Sequence, residues 1–83
     1  MISISSATVI QYKSGHNYVV EAVGGSVTVE RQLADGSWAE VPGSPVADGE
    51  SKFLNTTTHG RNLRFTPSDT ISLGFAPAVS SPV

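Results

Sequence analysis

Hydrophobic and polar residues alternate most regularly in the middle third of the chain. Val27 and Val29 fall on one side of an extended strand, with polar residues between them and after them. This period of two predicts a half-buried β-strand. The Asp35-Gly36 pair that follows is typical of a tight turn, because glycine readily adopts a positive φ angle. We therefore predict a β-hairpin whose second strand contains Trp38.

The length of the loop decides which residues face each other in this hairpin. A two-residue loop would place Leu33 opposite Trp38 and Arg31 opposite Glu40. A three-residue loop with a bulge would instead place Glu30 opposite Glu40. Like charges directly opposite each other destabilise a sheet. We therefore predict the two-residue loop, which puts Trp38 in the core or at its rim beside Leu33.

Other segments have the composition of β-strands. Apolar and β-branched residues dominate residues 7–12 and 18–23, and residues 52–55 form a short candidate strand. Alternation returns in residues 62–66 and 70–75, which predicts a second hairpin around a turn at Pro67. Because Gly24-Gly25 leads directly from the strand at 18–23 into the central hairpin, we predict that these strands are neighbours in one antiparallel sheet.

The strand pattern predicts an all-β fold. Apolar residues never recur at helical spacing over three turns, and glycine and proline interrupt every window. About seven short strands at this spacing are typical of a small antiparallel β-sandwich or barrel. The predicted core consists of Val9, Tyr18, Val20, Val27, Val29, Leu33, Phe53, Leu63, Phe65, Ile71, Leu73 and Phe75.

The predicted organisation is one sandwich domain over residues 1–75, with extended terminal segments. Residues 76–83 carry two prolines, which we expect to prevent regular strand pairing, yet they carry alanine and valine rather than charge. They are either a frayed terminus or an extended C-terminal arm that lies on a neighbouring subunit.

Length and composition indicate how so small a protein becomes stable. A chain of 83 residues buries only roughly 60–65% of its unfolded surface. It has no cysteine, which excludes disulfides, thiolate catalysis and zinc sites built on sulfur. His16 and His59 have no acidic neighbours at metal-ligand spacing. We therefore expect association with other protein surfaces to supply part of the stability.

Charge and hydropathy bear on the partners. The net charge is −2, and the five basic residues are scattered, which argues against nucleic-acid binding. No apolar run is long enough for a transmembrane helix, and the first residues lack the pattern of a signal peptide. We expect neither a membrane nor a nucleic acid as partner.

No residue pattern indicates catalysis or a cofactor. The serines do not occur in a nucleophile motif, and neither histidine has an evident carboxylate to orient it. Asp35, Asp48 and Glu50 could contribute to a calcium site, but no loop has the dense oxygen ligands of an EF-hand. Asn55 begins a glycosylation acceptor pattern that is better explained as a polar loop. We predict a non-enzymatic protein without cofactor or metal.

Five residues are candidates for contact with a partner. Arg61 and Arg64 lie on one edge of the second predicted hairpin, where they could meet an acidic surface or protect an exposed strand edge. Trp38 is either part of the core or a recognition side chain. Pro77 and Val79 belong to the predicted arm.

Three segments together resemble a family of virus proteins. They are VTVERQLADGSWAEV at 27–41, VADGE at 46–50 and GRNLRFTP at 60–67. This pattern resembles the small β-sandwich virion proteins of tailed bacteriophages, of the capsid decoration or cement type, and the similarity covers about two-thirds of the chain. Such families are defined by shape more than by motif, so the resemblance assigns no functional residue.

The resemblance implies a function and a location. Decoration proteins of this kind are small, lack cysteine, and sit as trimers on the outside of the capsid, where they hold coat subunits together. We therefore expect a homotrimeric structural protein of the virion, made in the host cytoplasm and bound to the major capsid protein. The alternatives are a head-tail, tail-tube or tail-fibre component, or a carbohydrate- or receptor-binding module of a fibre that uses Trp38 with Tyr12 or Tyr18.

Overall fold

The computed structural model describes residues 1–11, 17–54 and 62–78. Of residues 77 and 78 it describes the backbone alone. These residues form two four-stranded antiparallel sheets and no helix, which confirms the all-β sandwich. The eight strands are β1 (Ile2–Ile4), β2 (Thr8–Gln11), β3 (Asn17–Val23), β4 (Val27–Gln32), β5 (Trp38–Glu40), β6 (Ser51–Leu54), β7 (Asn62–Pro67) and β8 (Ile71–Ala78).

Neighbouring strands in each sheet come mostly from distant parts of the chain. The first sheet has the order β1-β8-β3-β6, and the second has the order β2-β7-β4-β5. Only β4 and β5 are both consecutive and paired. Between the sheets, Phe75 of the first stacks on Tyr18 at 4.4 Å between ring centroids and meets Phe65 of the second edge-on at 4.9 Å. Offset and edge-on contacts are the arrangements that aromatic rings prefer.

The chain crosses between the sheets at two places where the sequence predicted neighbours in one sheet. Gly24 and Gly25 carry the chain from β3 to β4, and Gly24 has a φ of 102°. The turn at residues 68–70 carries it from β7 to β8. Both predictions of in-sheet pairing were therefore wrong. Alternation fixes which side chains face inward, but an inward face is compatible with either sheet of a sandwich.

The core confirms most of the predicted residues and corrects three. Val9, Leu33 and Phe53 are exposed, with 53%, 37% and 60% of their surface accessible. In β2 and β6 the prediction chose the wrong phase, so that the outward residue was placed inside. Five buried side chains were not predicted: Ile4, Ala22, Val41, Val46 and Leu54.

The hairpin of β4 and β5 has the three-residue loop, so the predicted two-residue loop was wrong. Gln32 faces Trp38, and Glu30 faces Glu40. The backbone N–H of Leu33 donates to the Ser37 carbonyl at 2.7 Å. Gly36 follows the turn with a φ of 90°, as expected for a glycine bulge after a type I turn.

This register places two glutamates opposite each other, and a basic residue of the neighbouring strand offsets their repulsion. Arg64 of β7 is the cross-strand partner of Glu30 on the side away from Glu40. Its Nη2 atom lies 2.8 Å from the Glu30 Oε1 atom, so a cation offsets the two like charges. The sequence alone did not show which strand would lie beside β4.

One side of the sandwich is closed by residues 41–46 and by Lys52. Val46 forms an isolated bridge with Val27, and the Ser44 hydroxyl accepts a hydrogen bond from the Val29 N–H at 2.8 Å. Lys52 of β6 donates to the Gly43 carbonyl at 2.8 Å. These bonds tie the edge of the first sheet to the edge of the second, which protects backbone groups that would otherwise face solvent.

The last strand extends into the predicted arm. β8 continues to Ala78, and Pro77 is the cross-strand partner of Tyr18. The expectation that proline prevents pairing here was wrong, because β1 pairs only with the start of β8. Among the described residues, Pro77 has a neighbouring strand on one side alone, and proline is tolerated at such an edge. Residues 79–83 of the predicted arm lie outside the described residues.

Candidate interaction surfaces

The outer surface of the first sheet carries several apolar side chains. Because side chains alternate along a strand, the residues between the buried positions point away from the core. We call this surface the apolar face. Its apolar members are Met1, Val19, Val23, Phe53, Gly74 and Ala76, and its polar members on the described residues are Ser3, Asn17, Glu21, Ser51 and Ser72. Phe53 is 60% accessible and Val23 is 46% accessible. Exposed apolar side chains grouped in this way are typical of an interaction site.

The members of the apolar face are neighbours across the strands. Val19 of β3 pairs with Phe53 of β6 on one side and with Ala76 of β8 on the other. Glu21 pairs with Gly74 in the next outward row. An apolar row crosses the sheet without a charged side chain, and the carboxylate lies in the row beside it.

Gly74 lies on the apolar face under two neighbouring side chains. A Cβ atom at this position would lie 3.3 Å from the Met1 Cε atom and 3.3 Å from the Glu21 Cβ atom. The side chains of Met1 and Glu21 therefore lie against the glycine backbone, one from each neighbouring strand. Within the described part of the chain, Glu21 makes no hydrogen bond or ion pair.

The outer surface of the second sheet is polar, and its groups bind one another. Arg64 donates from its Nε atom to the Glu30 Oε1 atom at 2.9 Å. Asn62 donates from its Nδ2 atom to the Gln32 Oε1 atom at 2.8 Å. These side chains lie on β7 and β4, two central strands of the sheet. We call this surface the polar face.

Trp38 lies on the polar face beneath Arg64. The guanidinium carbon of Arg64 is 4.6 Å from the centroid of the indole ring, which is a cation–π contact. Trp38 is half-buried. The prediction that it packs beside Leu33 in the core or at its rim was wrong, because the observed register points it outward, opposite Gln32.

The acidic residues considered for calcium hold turns together. Asp48 accepts a hydrogen bond from the Gly24 N–H at 2.9 Å, and Glu50 accepts one from the Ala47 N–H at 2.9 Å. Asp35 accepts one from the Ser37 hydroxyl at 2.6 Å, and this bond is the main cause that lowers the pKa of its carboxyl. The described residues contain no group of three potential metal ligands.

Of the predicted contact residues, Arg64 and Trp38 lie together on the polar face, and Pro77 lies in the other sheet. Arg64 lies in a central strand of the second sheet, so the prediction that it occupies a hairpin edge was wrong. Pro77 belongs to the first sheet, in β8. Arg61 and Val79 lie outside the described residues, as do His16, His59, Asn55 and Tyr12.

Sequence reasoning missed the apolar face. Val19 and Phe53 carry it, and the signal was present as adjacent apolar pairs. Val19 precedes the buried Val20, and Phe53 precedes the buried Leu54. Two large apolar residues in succession on a strand must point to opposite sides, so one of them leaves the core.

Comparisons with known proteins add no relative. No family model matches the chain, and neither a curated protein nor a solved structure is significantly similar to it. No helix among the described residues has the length and hydropathy to cross a membrane.

Proposed function

We propose that this chain is a non-enzymatic structural protein of a virion, a capsid decoration protein that binds coat subunits and stabilises the shell. It acts as a homo-oligomer, and we propose a trimer. The observation that carries the proposal is the apolar face, which leaves Phe53 and Val23 exposed on a rigid sheet. A small sandwich with one such face is suited to dock on another protein surface.

The dimensions of the domain support a docking function. The described residues extend over 36 × 32 × 19 Å, so the sandwich is flat and its sheets form the two broad surfaces. A standard specific interface covers roughly 800 Å² on each partner. One broad surface of this domain is comparable in area, so docking would add substantially to the stability of a small core.

The polar side chains support a structural function. Glu30 is engaged by Arg64, and Asp35 by Ser37. Asp48 caps the crossing at Gly24. The hydrogen bonds of these groups are made within the fold, as expected of residues with a structural and not a catalytic role.

The position in a virion is supported by the resemblance of residues 27–41, 46–50 and 60–67 to phage decoration proteins. The shape agrees with this proposal, because a flat domain can lie on a shell and contact two coat subunits. Many equivalent copies on a symmetric shell would reinforce one another through effective concentration.

The use of Trp38 as a platform for a carbohydrate or receptor is less well supported. Arg64 lies over the indole ring, and Glu30 holds the guanidinium in place. A sugar ring that stacked on this side of the indole would have to displace the Arg64 guanidinium. Tyr18, the second aromatic residue considered, is buried in the core with 4% of its surface accessible.

The proposal is tested by oligomeric state and by binding to shells. We expect light scattering to give the mass of a trimer for the purified protein. We also expect it to co-sediment with empty expanded shells of the virus that encodes it, and to raise their melting temperature. A monomer that does not bind such shells contradicts the proposal.

A further inference from the structure

We propose that the apolar face is the surface that docks on the shell, and that it receives an apolar protein surface carrying one lysine or arginine opposite Glu21. This inference rests on the proposed function and specifies which face of the domain binds and what chemistry the partner has. The polar face, with Arg64 and Trp38, then remains turned to solvent.

The apolar face and the polar face differ in whether their charged side chains are paired. Glu21 is the one charged side chain among the outward-pointing described residues of the first sheet. It is exposed, and it makes no hydrogen bond or ion pair with another described residue. On the polar face, by contrast, Glu30 is already paired with Arg64 at 2.8 Å. The cross-strand partners of Glu21 are Ser51 and Gly74, and neither neutralises its charge. Such a carboxylate is complementary to a cation supplied from outside.

The position of Glu21 determines the chemistry of the partner. β3 is a central strand of the first sheet, and Glu21 lies beside Gly74 of β8, the other central strand. A surface that covers Val19 and Phe53 therefore also removes the Glu21 carboxylate from water. Burying a carboxylate is strongly unfavourable unless an opposite charge or hydrogen-bond donors accompany it. A lysine or arginine on the partner would supply both the opposite charge and the donors.

The same argument excludes a second copy of the chain packed through the same face. A two-fold axis at the centre of the face would bring the two Glu21 carboxylates close together in an apolar interface. Like charges in such a position oppose association. A dimer through this face is therefore disfavoured, and in the proposed trimer the copies meet through other surfaces and leave the apolar face open to the shell.

The test compares variants of the full chain for binding to empty expanded shells that lack it. Phe53→Ser removes the largest side chain of the face, and Glu21→Lys reverses its charge. The matched controls lie on the polar face and change the same properties. Val9→Ser removes an apolar side chain of similar exposure, 53% against 60%, and Glu40→Lys makes the same change of charge.

We expect Phe53→Ser and Glu21→Lys each to weaken shell binding by roughly tenfold or more, with both controls within about twofold of the wild type. Thermal unfolding of each variant shows whether it is folded, and all four positions are exposed. Light scattering is expected to give the same oligomer for wild type and Phe53→Ser.

Each contrary outcome has a distinct meaning. If the wild-type protein binds shells and the two face variants bind equally well, the inference is overturned while the proposed function stands. If Glu21→Lys strengthens binding, the partner is acidic and the inferred chemistry is wrong. If Phe53→Ser breaks the oligomer, the face joins copies of the chain instead. A wild-type protein that does not bind shells overturns the proposed function, and this inference with it.

Discussion

Ser26 and Ser68 join two of the connections between the sheets, β3 to β4 and β7 to β8, by a reciprocal pair of hydrogen bonds. The Ser26 N–H donates to the Ser68 hydroxyl at 3.0 Å, and the Ser68 N–H donates to the Ser26 carbonyl at 2.9 Å. A Cβ atom at Gly25 would lie 2.9 Å from the Ser68 hydroxyl, so the two connections pack too closely for a side chain there. This contact holds together the places where the chain leaves each sheet.

The first prediction concerns this contact. Ser68→Ala removes the hydroxyl that accepts from Ser26, and we expect it to lower the free energy of unfolding by about 0.5–1.5 kcal/mol. Urea unfolding followed by tryptophan fluorescence measures the change. Ser5→Ala, in the exposed connection between β1 and β2, is the control and should be within about 0.5 kcal/mol of wild type. Equal effects of the two substitutions contradict the assignment.

The second prediction concerns Arg64 and the two facing glutamates. Arg64→Gln leaves Glu30 opposite Glu40 without a compensating cation. We expect Glu40→Gln to raise stability by about 0.5 kcal/mol in the Arg64→Gln background, and to have a smaller effect in the wild type. A double-mutant cycle from urea unfolding measures the coupling. Additive effects would show that Arg64 does not offset the repulsion between the glutamates.

The third prediction tests the phase of β6. Leu54 is fully buried and Phe53 is exposed, although phenylalanine is the larger residue. Leu54→Ala should destabilise the protein by about 2–5 kcal/mol, because it leaves a cavity between the sheets. Phe53→Ala should cost less than about 1 kcal/mol, since no cavity forms. The opposite order, measured by thermal or urea unfolding, would mean that β6 is shifted by one residue.

The fourth prediction concerns the carboxyl of Asp35. Hydrogen bonds from the Ser37 hydroxyl and from the Ser37 backbone N–H lower its pKa below the ordinary value. Stability from this carboxylate is therefore present above the unfolded-state pKa, and it is lost as pH falls through the folded-state pKa. A carboxyl NMR titration should give a midpoint below that of an unstructured aspartate. Ser37→Ala should move it back upward in part, because the backbone bond remains; an unchanged midpoint contradicts this cause.

Local patterns in the sequence predicted the positions of the strands better than they predicted which strands pair with each other. The alternation around Val27 and Val29 is a property of one strand, and both residues are buried as predicted. Whether β3 pairs with β4 depends on which sheet each strand joins, and that choice is made by contacts such as those of Ser26 with Ser68. Such contacts are distant in sequence, so neither alternation nor turn composition contains them.

The interaction surface was harder to predict than the fold. The sequence indicated charged and aromatic residues as candidates for contact with a partner, yet Arg64 and Trp38 contact each other. The apolar face depends on Val19 and Phe53, which resemble core residues in composition. Only the cross-strand register shows that they are adjacent on the outer side of the sheet, where Phe53 is exposed and Val19 is half-buried.

The pairing of the first strand with the last has a consequence during synthesis. β1 pairs with β8 and β2 with β7, while only the hairpin of β4 and β5 finds its partner at once. Neither sheet can be completed until a ribosome has released most of the chain. A message cut short before β8 would thus yield a polypeptide in which β1 has no partner strand and one edge of β3 is left unpaired.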